Sequence, residues 1–278
     1  MARMTSRQRV LRVTVGAEPV VREDTLAAEE PLEIRVGGRA LAVTMRTPGA
    51  DWDLAAGFLV SEGVVAAGGE LASMRYCAGA TEEGVNTYNV LDLTLAPGVA
   101  PPDPSLERSF LTTSACGLCG KASIDGVRTR STWSVRDDPL RVTPALLAGL
   151  PDRLREAQQV FASTGGLHAA ALADGATGEL LVVREDVGRH NAVDKVVGWA
   201  LREGRLPLRG VVLLVSGRAS FELTQKAFMA GISVLAAVSA PSSLAAELAE
   251  EVGLTLVGFL RGPSMVVYAG RERVVTAG

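Results

Sequence analysis

The chain has few of the residues from which most metal and redox centres are built: three cysteines and two histidines among 278 residues. So few thiols in a chain without a secretory signal exclude a disulfide framework and fit a reducing compartment. Aromatic residues make up only 4%, too few for a platform that stacks single-stranded nucleic acid. Charge of one sign is also missing, with 28 basic against 31 acidic side chains and a formal net charge of -3. No general field draws in nucleic acid, and an anionic ligand needs a local cluster of cations. Long apolar runs are absent too. The richest, GISVLAAVSA, stops at Pro241, well short of the roughly 18 residues of a membrane span. The N-terminal stretch MARMTSRQRVLRVTVGAEP lacks the run of about 7–15 apolar residues of a signal peptide. The expectation is a cytoplasmic protein with no membrane and no nucleic acid among its partners. No P-loop, HExxH or GxSxG motif occurs anywhere.

What is present is an apolar share of 47%, enough for a sizeable core. Residues 1–20 are polar and basic and read as a loosely ordered lead-in. Residues 21–110 read as a small, mainly β subdomain. In it PLEIRVGGRALAVTMR alternates about a Gly-Gly pair as a hairpin, WDLAAGFLVSEGVV is a short helix ending at Gly63, and YNVLDLTLAPG alternates as a strand. The stretch from Pro97 to Pro104 is a turn-rich connector, and residues 111–138 carry the block CGLCGK.

Residues 139–278 read as an α/β domain. Thr143-Pro144 is a helix start, Pro151-Asp152 starts a second helix, and that helix ends before Gly165-Gly166. LHAAALADGATGELLVV makes two strands about a DGATG turn. REDVGRH is a charged loop, followed by a helix with Ala192, Val193, Val196, Val197, Ala200 and Leu201 on one face and Asn191 or Asp186 as its cap. VVLLV, ISVLAAV and LTLVGFL are unalternating apolar strands separated by helices, the pattern of parallel strands buried on both faces. Ligands bind beyond the carboxyl ends of such strands, which selects the loops Ser216 to Ser220, Val238 to Ser242 and Phe259 to Ser264.

Two sets of residues can carry chemistry. In CGLCGK, Cys116 and Cys119 stand beside Lys121 and two glycines. A thiol reacts as the thiolate, which a nearby cation and exposed backbone N–H groups stabilise. Half of a zinc site and a buried structural pair are the other readings. The further ligands that zinc needs are lacking, because Cys77, His168 and His190 are scattered singly, and Gly117 and Gly120 argue against packing. No stoichiometric metal is expected. The second set is cationic. Arg184, Arg189, His190 and Asn191 crowd one loop, while Arg218 and Arg261 sit on loops expected at the same sheet edge, so Arg189, Arg218 and Arg261 would make an anion site. His168, flanked by alanines, reads as a core residue. A zinc-deaminase reading fails because position 170 is Ala170 where the general acid/base Glu is required.

The blocks CGLCGK, GGLHAAAL, REDVGRHNAVDKVVGWAL, SGRASFELTQKAFMAGI, VSAPSSLA and GFLRG, in this order and spacing, closely resemble the formate dehydrogenase accessory sulfurtransferase family, FdhD. The resemblance runs from about residue 30 to Tyr268. It implies a cytidine-deaminase-like three-layer domain beside the smaller β subdomain, in a cytoplasmic homodimer. It also implies a sulfur carrier that accepts sulfur from a cysteine desulfurase and delivers it to the bis-molybdopterin guanine dinucleotide molybdenum cofactor, bound as substrate, before insertion into formate dehydrogenase. By position, Cys116 would bear the persulfide and Cys119 would assist or relay. The segment Phe259, Leu260, Arg261, Gly262, Pro263 and Ser264 would contact the cofactor, with Arg218, Arg189 and His190 receiving its pyrophosphates. A redox or zinc-dependent nucleotide-binding regulator is the alternative, and it would need both cysteines equally.

Overall fold

The computed structural model describes residues 3–77, 88–102 and 131–275. Among these, three sheets and six helices are formed.

The first sheet is a two-stranded antiparallel ribbon, β1 (Thr5–Arg12) against β2 (Val20–Ala27). The lead-in is therefore a paired strand and not loose chain. Both of its faces are largely exposed, so it lacks the apolar alternation that a core-facing strand displays. The second sheet has the order β4-β3-β6-β5. Here β3 (Glu30–Val36) and β4 (Arg39–Arg46) form the expected hairpin, β5 spans Leu71–Tyr76 and β6 spans Val90–Leu95. The hairpin turns through Gly37 and Gly38, both at positive φ, the backbone that a two-residue turn of this hand requires. Helix α1 (Asp51–Ser61) links β4 to β5.

The third sheet has six strands in the order β12-β11-β10-β9-β7-β8. Strands β9 (Val211–Val215), β10 (Val234–Ala237) and β11 (Thr255–Arg261) are mutually parallel. Strand β7 (His168–Asp174) runs antiparallel to β9 and to β8 (Leu180–Asp186), and β12 (Ser264–Ala269) pairs antiparallel with β11. One face is covered by α2 (Pro144–Ala157), whose Leu147, Leu150 and Leu154 pack on Ala169, Ala171, Val212 and Leu260. The other face carries α4 (Arg189–Arg202), α5 (Phe221–Met229) and α6 (Ser243–Val252). This is the three-layer arrangement expected.

Two boundaries differ from those expected. Pro151 does not start a helix but lies inside α2, which runs to Ala157, and the short helix α3 (Gln159–Thr164) begins after a break at Gln158. The apolar stripe through Leu147, Leu150 and Leu154 continues across the proline, so burial holds the helix together where propensity would divide it. Thr143 caps α2 as expected, its Oγ1 accepting from Leu146 N–H at 3.2 Å.

Helices α1 and α4 join the small subdomain to the large one, crossing backbone to backbone. A Cβ on Gly57 would overlap the carbonyl oxygen of Asp194, and one on Gly198 would overlap that of Asp53. Glycine is required at both positions because the helices pass closer than any side chain allows.

Candidate functional site

The carboxyl ends of β8, β9 and β10 lie along one edge of the large sheet, and each feeds the start of a helix there. Ser220 and Ser242 cap α5 and α6, their hydroxyls accepting from Leu223 N–H at 3.5 Å and Ala245 N–H at 3.2 Å. Gly188 holds the cap position of α4 with no side-chain cap, so neither Asn191 nor Asp186 caps this helix. Asp186 Oδ1 instead closes the preceding turn, accepting from Gly188 N–H at 2.8 Å and from Asn191 Nδ2 at 3.0 Å. Three helix N-termini, each with partial positive charge from its unpaired N–H groups, therefore open on one edge.

The block from Arg184 to Lys195 is not a loop. Its first three residues end β8, and the residues from Arg189 onward belong to α4. Most of its polar groups face inward and are paired. Lys195 and Asp186 are almost fully buried, 2.7 Å apart. Lys195 Nζ also donates to the carbonyl of Thr47 at 2.9 Å, while Thr47 N–H donates to Asp186 Oδ2 at 3.2 Å. Asn191 donates to Met45 O and accepts from the Thr44 hydroxyl. Arg184 pairs with Asp53 at 2.8 Å. Asp194 accepts from Lys226 and from the Ser61 hydroxyl. Glu185 caps α3, accepting from Val160 and Phe161 N–H. These bonds lock the end of β4 and helix α1 onto α4, and the density of donors in this block is mainly a structural seam.

Arg189 and His190 face the open edge. Arg189 makes no salt bridge or side-chain hydrogen bond among the described residues, and its Nε is buried without a partner. Gly217 packs against it: a Cβ there would stand 3.8 Å from Arg189 Cδ and 3.4 Å from His168 Nδ1. His168 is thus a member of this cluster, at the head of β7 across from Asp186, and the reading of it as a core residue is corrected. Its imidazole pKa is lowered, first by burial and then by the positive charges of Arg189 and His190. His190 is held by Glu222, with Nε2 to Oε2 at 2.5 Å. Arg218 is exposed, in the loop directly after Gly217.

Phe259 to Ser264 is a hairpin and not a loop. Arg261 pairs with Ser264 across Gly262-Pro263, and the hairpin leans on the loop after β10 through Phe259 N–H to Ser239 O at 3.1 Å and Arg261 Nε to Val238 O at 3.1 Å. Phe259 combines a positive φ with 40% exposure, an unfavourable backbone for an aromatic residue of the kind found at ligand-facing positions. Leu260 turns the other way and is fully buried under α2. It belongs to the core, because successive strand residues face opposite sides of the sheet. Cys116, Cys119 and Lys121 lie outside the described residues. Cys77 is a half-buried free thiol at the end of β5. The signal that could have placed His168 in the site was positional: it heads the strand that pairs with β9, whose next loop holds Gly217 and Arg218.

Fold and edge together define a three-layer α/β protein with a cationic site at the carboxyl ends of its parallel strands. The chain belongs to the FdhD/NarQ family, whose model matches residues 27–275. It is 66% identical over 275 residues to the sulfur carrier protein FdhD of Streptomyces avermitilis, covering 99% of this chain and 97% of the relative. It is 61% identical over 271 residues to the protein of the same name in Mycolicibacterium paratuberculosis, covering 98% and 99%. A crystal structure from Desulfotalea psychrophila, of a protein described as a formate dehydrogenase accessory protein, shares the fold with a TM-score of 0.78 at 21% identity, over 98% of this chain and 100% of that one. Among the described residues, no helix is long and apolar enough to cross a membrane.

Proposed function

We propose that this protein is a sulfur carrier for formate dehydrogenase, working as a cytoplasmic homodimer. Cys116 takes sulfur from a cysteine desulfurase as a persulfide and passes it to the bis-molybdopterin guanine dinucleotide molybdenum cofactor, its substrate, before that cofactor enters the dehydrogenase. The relatives named sulfur carrier support the reading at up to 66% identity. The observation that carries it is a pair of cations, Arg189 and Arg218, that have no carboxylate partner among the described residues, at an edge where three helices begin. Such a set suits a pyrophosphate, and the net charge of -3 leaves no other attraction for an anion.

The sulfur chemistry balances with the two thiols of CGLCGK. The Cys116 thiolate, stabilised by Lys121, attacks the outer sulfur of the donor persulfide, and the donor cysteine leaves as a thiolate. Cys119 can then attack the inner sulfur. This releases the outer atom as hydrosulfide and leaves a Cys116–Cys119 disulfide, which an external dithiol reduces. Arg189, Arg218 and Arg261, with the backbone of the Phe259–Ser264 hairpin, hold the pyrophosphates, and exposed Phe259 offers a ring for a base.

Incubation with a desulfurase and cysteine should add one sulfur atom to the peptide containing Cys116, read by mass spectrometry. Cys116→Ala should abolish activation of formate dehydrogenase, and full activation by that variant would overturn the carrier role. Arg218→Ala and Arg261→Ala should each weaken guanosine diphosphate binding by roughly ten-fold to a hundred-fold, the worth of one charged hydrogen bond.

A further inference from the structure

We propose that His168 is a phosphate-contacting residue of this site that binds as the imidazolium, so that seating a pyrophosphate takes up a proton from solvent. The inference rests on the edge being the pyrophosphate site, as argued above, and it adds a residue and a proton to it.

The placement comes first. His168 heads β7 at the edge where β8 and β9 end, and its ring and the Arg189 side chain pack on the same face of Gly217. Neither ring nitrogen has a hydrogen-bond partner among the described residues, and Arg189 Nε beside it has none either. Among the described residues, the charged groups around it come from three elements and one loop. Asp186 faces it from β8, but that carboxylate is bound by Lys195, Asn191 and the backbone of Thr47 and Gly188. Arg189 and His190 face it from α4, and Arg218 follows in the loop after β9. Glu222 on α5 is engaged by His190. Among the described residues, the cationic and imidazole nitrogens here without a hydrogen-bond partner include Arg189 Nε and both ring nitrogens of His168, and on the far side of His190 the second oxygen of Glu222, Oε1, is also unpaired.

Without ligand, burial and then the charges of Arg189 and His190 lower the imidazole pKa and so disfavour its protonated form. A pyrophosphate diester carries two charges that do not titrate near neutrality. Seated against Arg189 and His168, it reverses the sign of the local field and raises the imidazole pKa. Because the bound value then exceeds the free value, affinity rises as pH falls through the bound value and levels off below the free one. The limiting slope is about ten-fold per pH unit. His168 and His190 are the two histidines of the chain, so the change is assignable.

Calorimetric titration of the wild-type protein with P1,P2-diguanosine diphosphate tests this between about pH 6.5 and about pH 8, in two buffers of different ionisation enthalpy. The expected result is uptake of close to one proton, with affinity falling about five- to ten-fold per pH unit. His168→Gln should bind with little proton uptake and a flat pH profile, whereas His190→Gln should keep the slope. Should His168→Gln fold poorly, the ring-proton resonances of the wild-type histidines, titrated with and without ligand, give the same answer. Tight binding without proton uptake, or uptake that survives in His168→Gln, would overturn the inference while leaving the pyrophosphate site intact. No binding at any pH would remove the site and the inference together.

Discussion

Within the block Arg184–Lys195, polar side chains that lie close together in sequence are put to opposite uses. Asp186, Asn191, Asp194 and Lys195 point into the seam between the subdomains, where each is paired and buried. Arg189 and His190, only a few residues away, sit at the open sheet edge, where Arg189 has no carboxylate partner among the described residues. The backbone decides between them. The strand ends at Asp186, Gly188 turns the chain, and the helical period then sends 191, 194 and 195 inward while the first turn stays at the rim. A dense run of charge therefore signals both a scaffold and a site, and pairing tells which is which.

The seam is most vulnerable at the helix crossing. Gly57→Ala or Gly198→Ala puts a methyl group into the carbonyl of the facing helix, so the seam must open. We expect a loss of about 3 kcal/mol or more in denaturant unfolding. A loss below about 1 kcal/mol would mean that the crossing is looser than described.

Next comes the buried pair. Lys195→Met leaves Asp186 charged and without its main partner, and should cost about 3–5 kcal/mol, read as a shift of the denaturation midpoint. Asp186→Asn combined with Lys195→Met should recover part of that loss, since the stranded charge is gone. Absence of any recovery would show that the pair acts independently.

The smallest effect lies far from both regions, at the opposite end of β7. Asp174 accepts from Ala176 and Thr177 N–H at 3.0 and 2.8 Å in the DGATG turn, and these bonds, with the Thr177 hydroxyl, lower its pKa. A depressed carboxylate stabilises the fold at neutral pH and loses that contribution as pH falls through its folded value. Asp174→Ala should therefore be slightly less stable than wild type at neutral pH and indistinguishable from it in strong acid. Acid and neutral unfolding curves check this.

Much of this architecture was legible in the sequence. VVLLV, ISVLAAV and LTLVGFL announce strands buried on both faces because nothing in them alternates, and the Gly-Gly hairpin announces its own turn. Strand β1 was hidden because TSRQRVLR exposes both faces, leaving no apolar period to read. Helix α2 was divided at Pro151 because propensity says nothing of Leu147 and Leu154 lying on one buried stripe. The seam was hidden for a different reason: the partners of Asp186 and Lys195 are backbone atoms of Thr47, far away in the chain and recognisable only once β4 is docked. His168 reads as a core residue in sequence because its environment is made by Gly217 and Arg189, which only the sheet brings to it. Leu260 was included with its neighbours because a segment was read as a unit where a strand divides it by face.

Arg189 serves a ligand in this reading, while Asp186, Asn191, Asp194 and Lys195 around it serve the fold. One paired measurement on Arg189→Gln tests it most directly: the denaturation midpoint, and the affinity for P1,P2-diguanosine diphosphate. Stability within about 0.5 kcal/mol of wild type is expected, together with affinity reduced by roughly ten-fold or more. Unchanged affinity, or a loss of stability comparable to that of Lys195→Met, would contradict it.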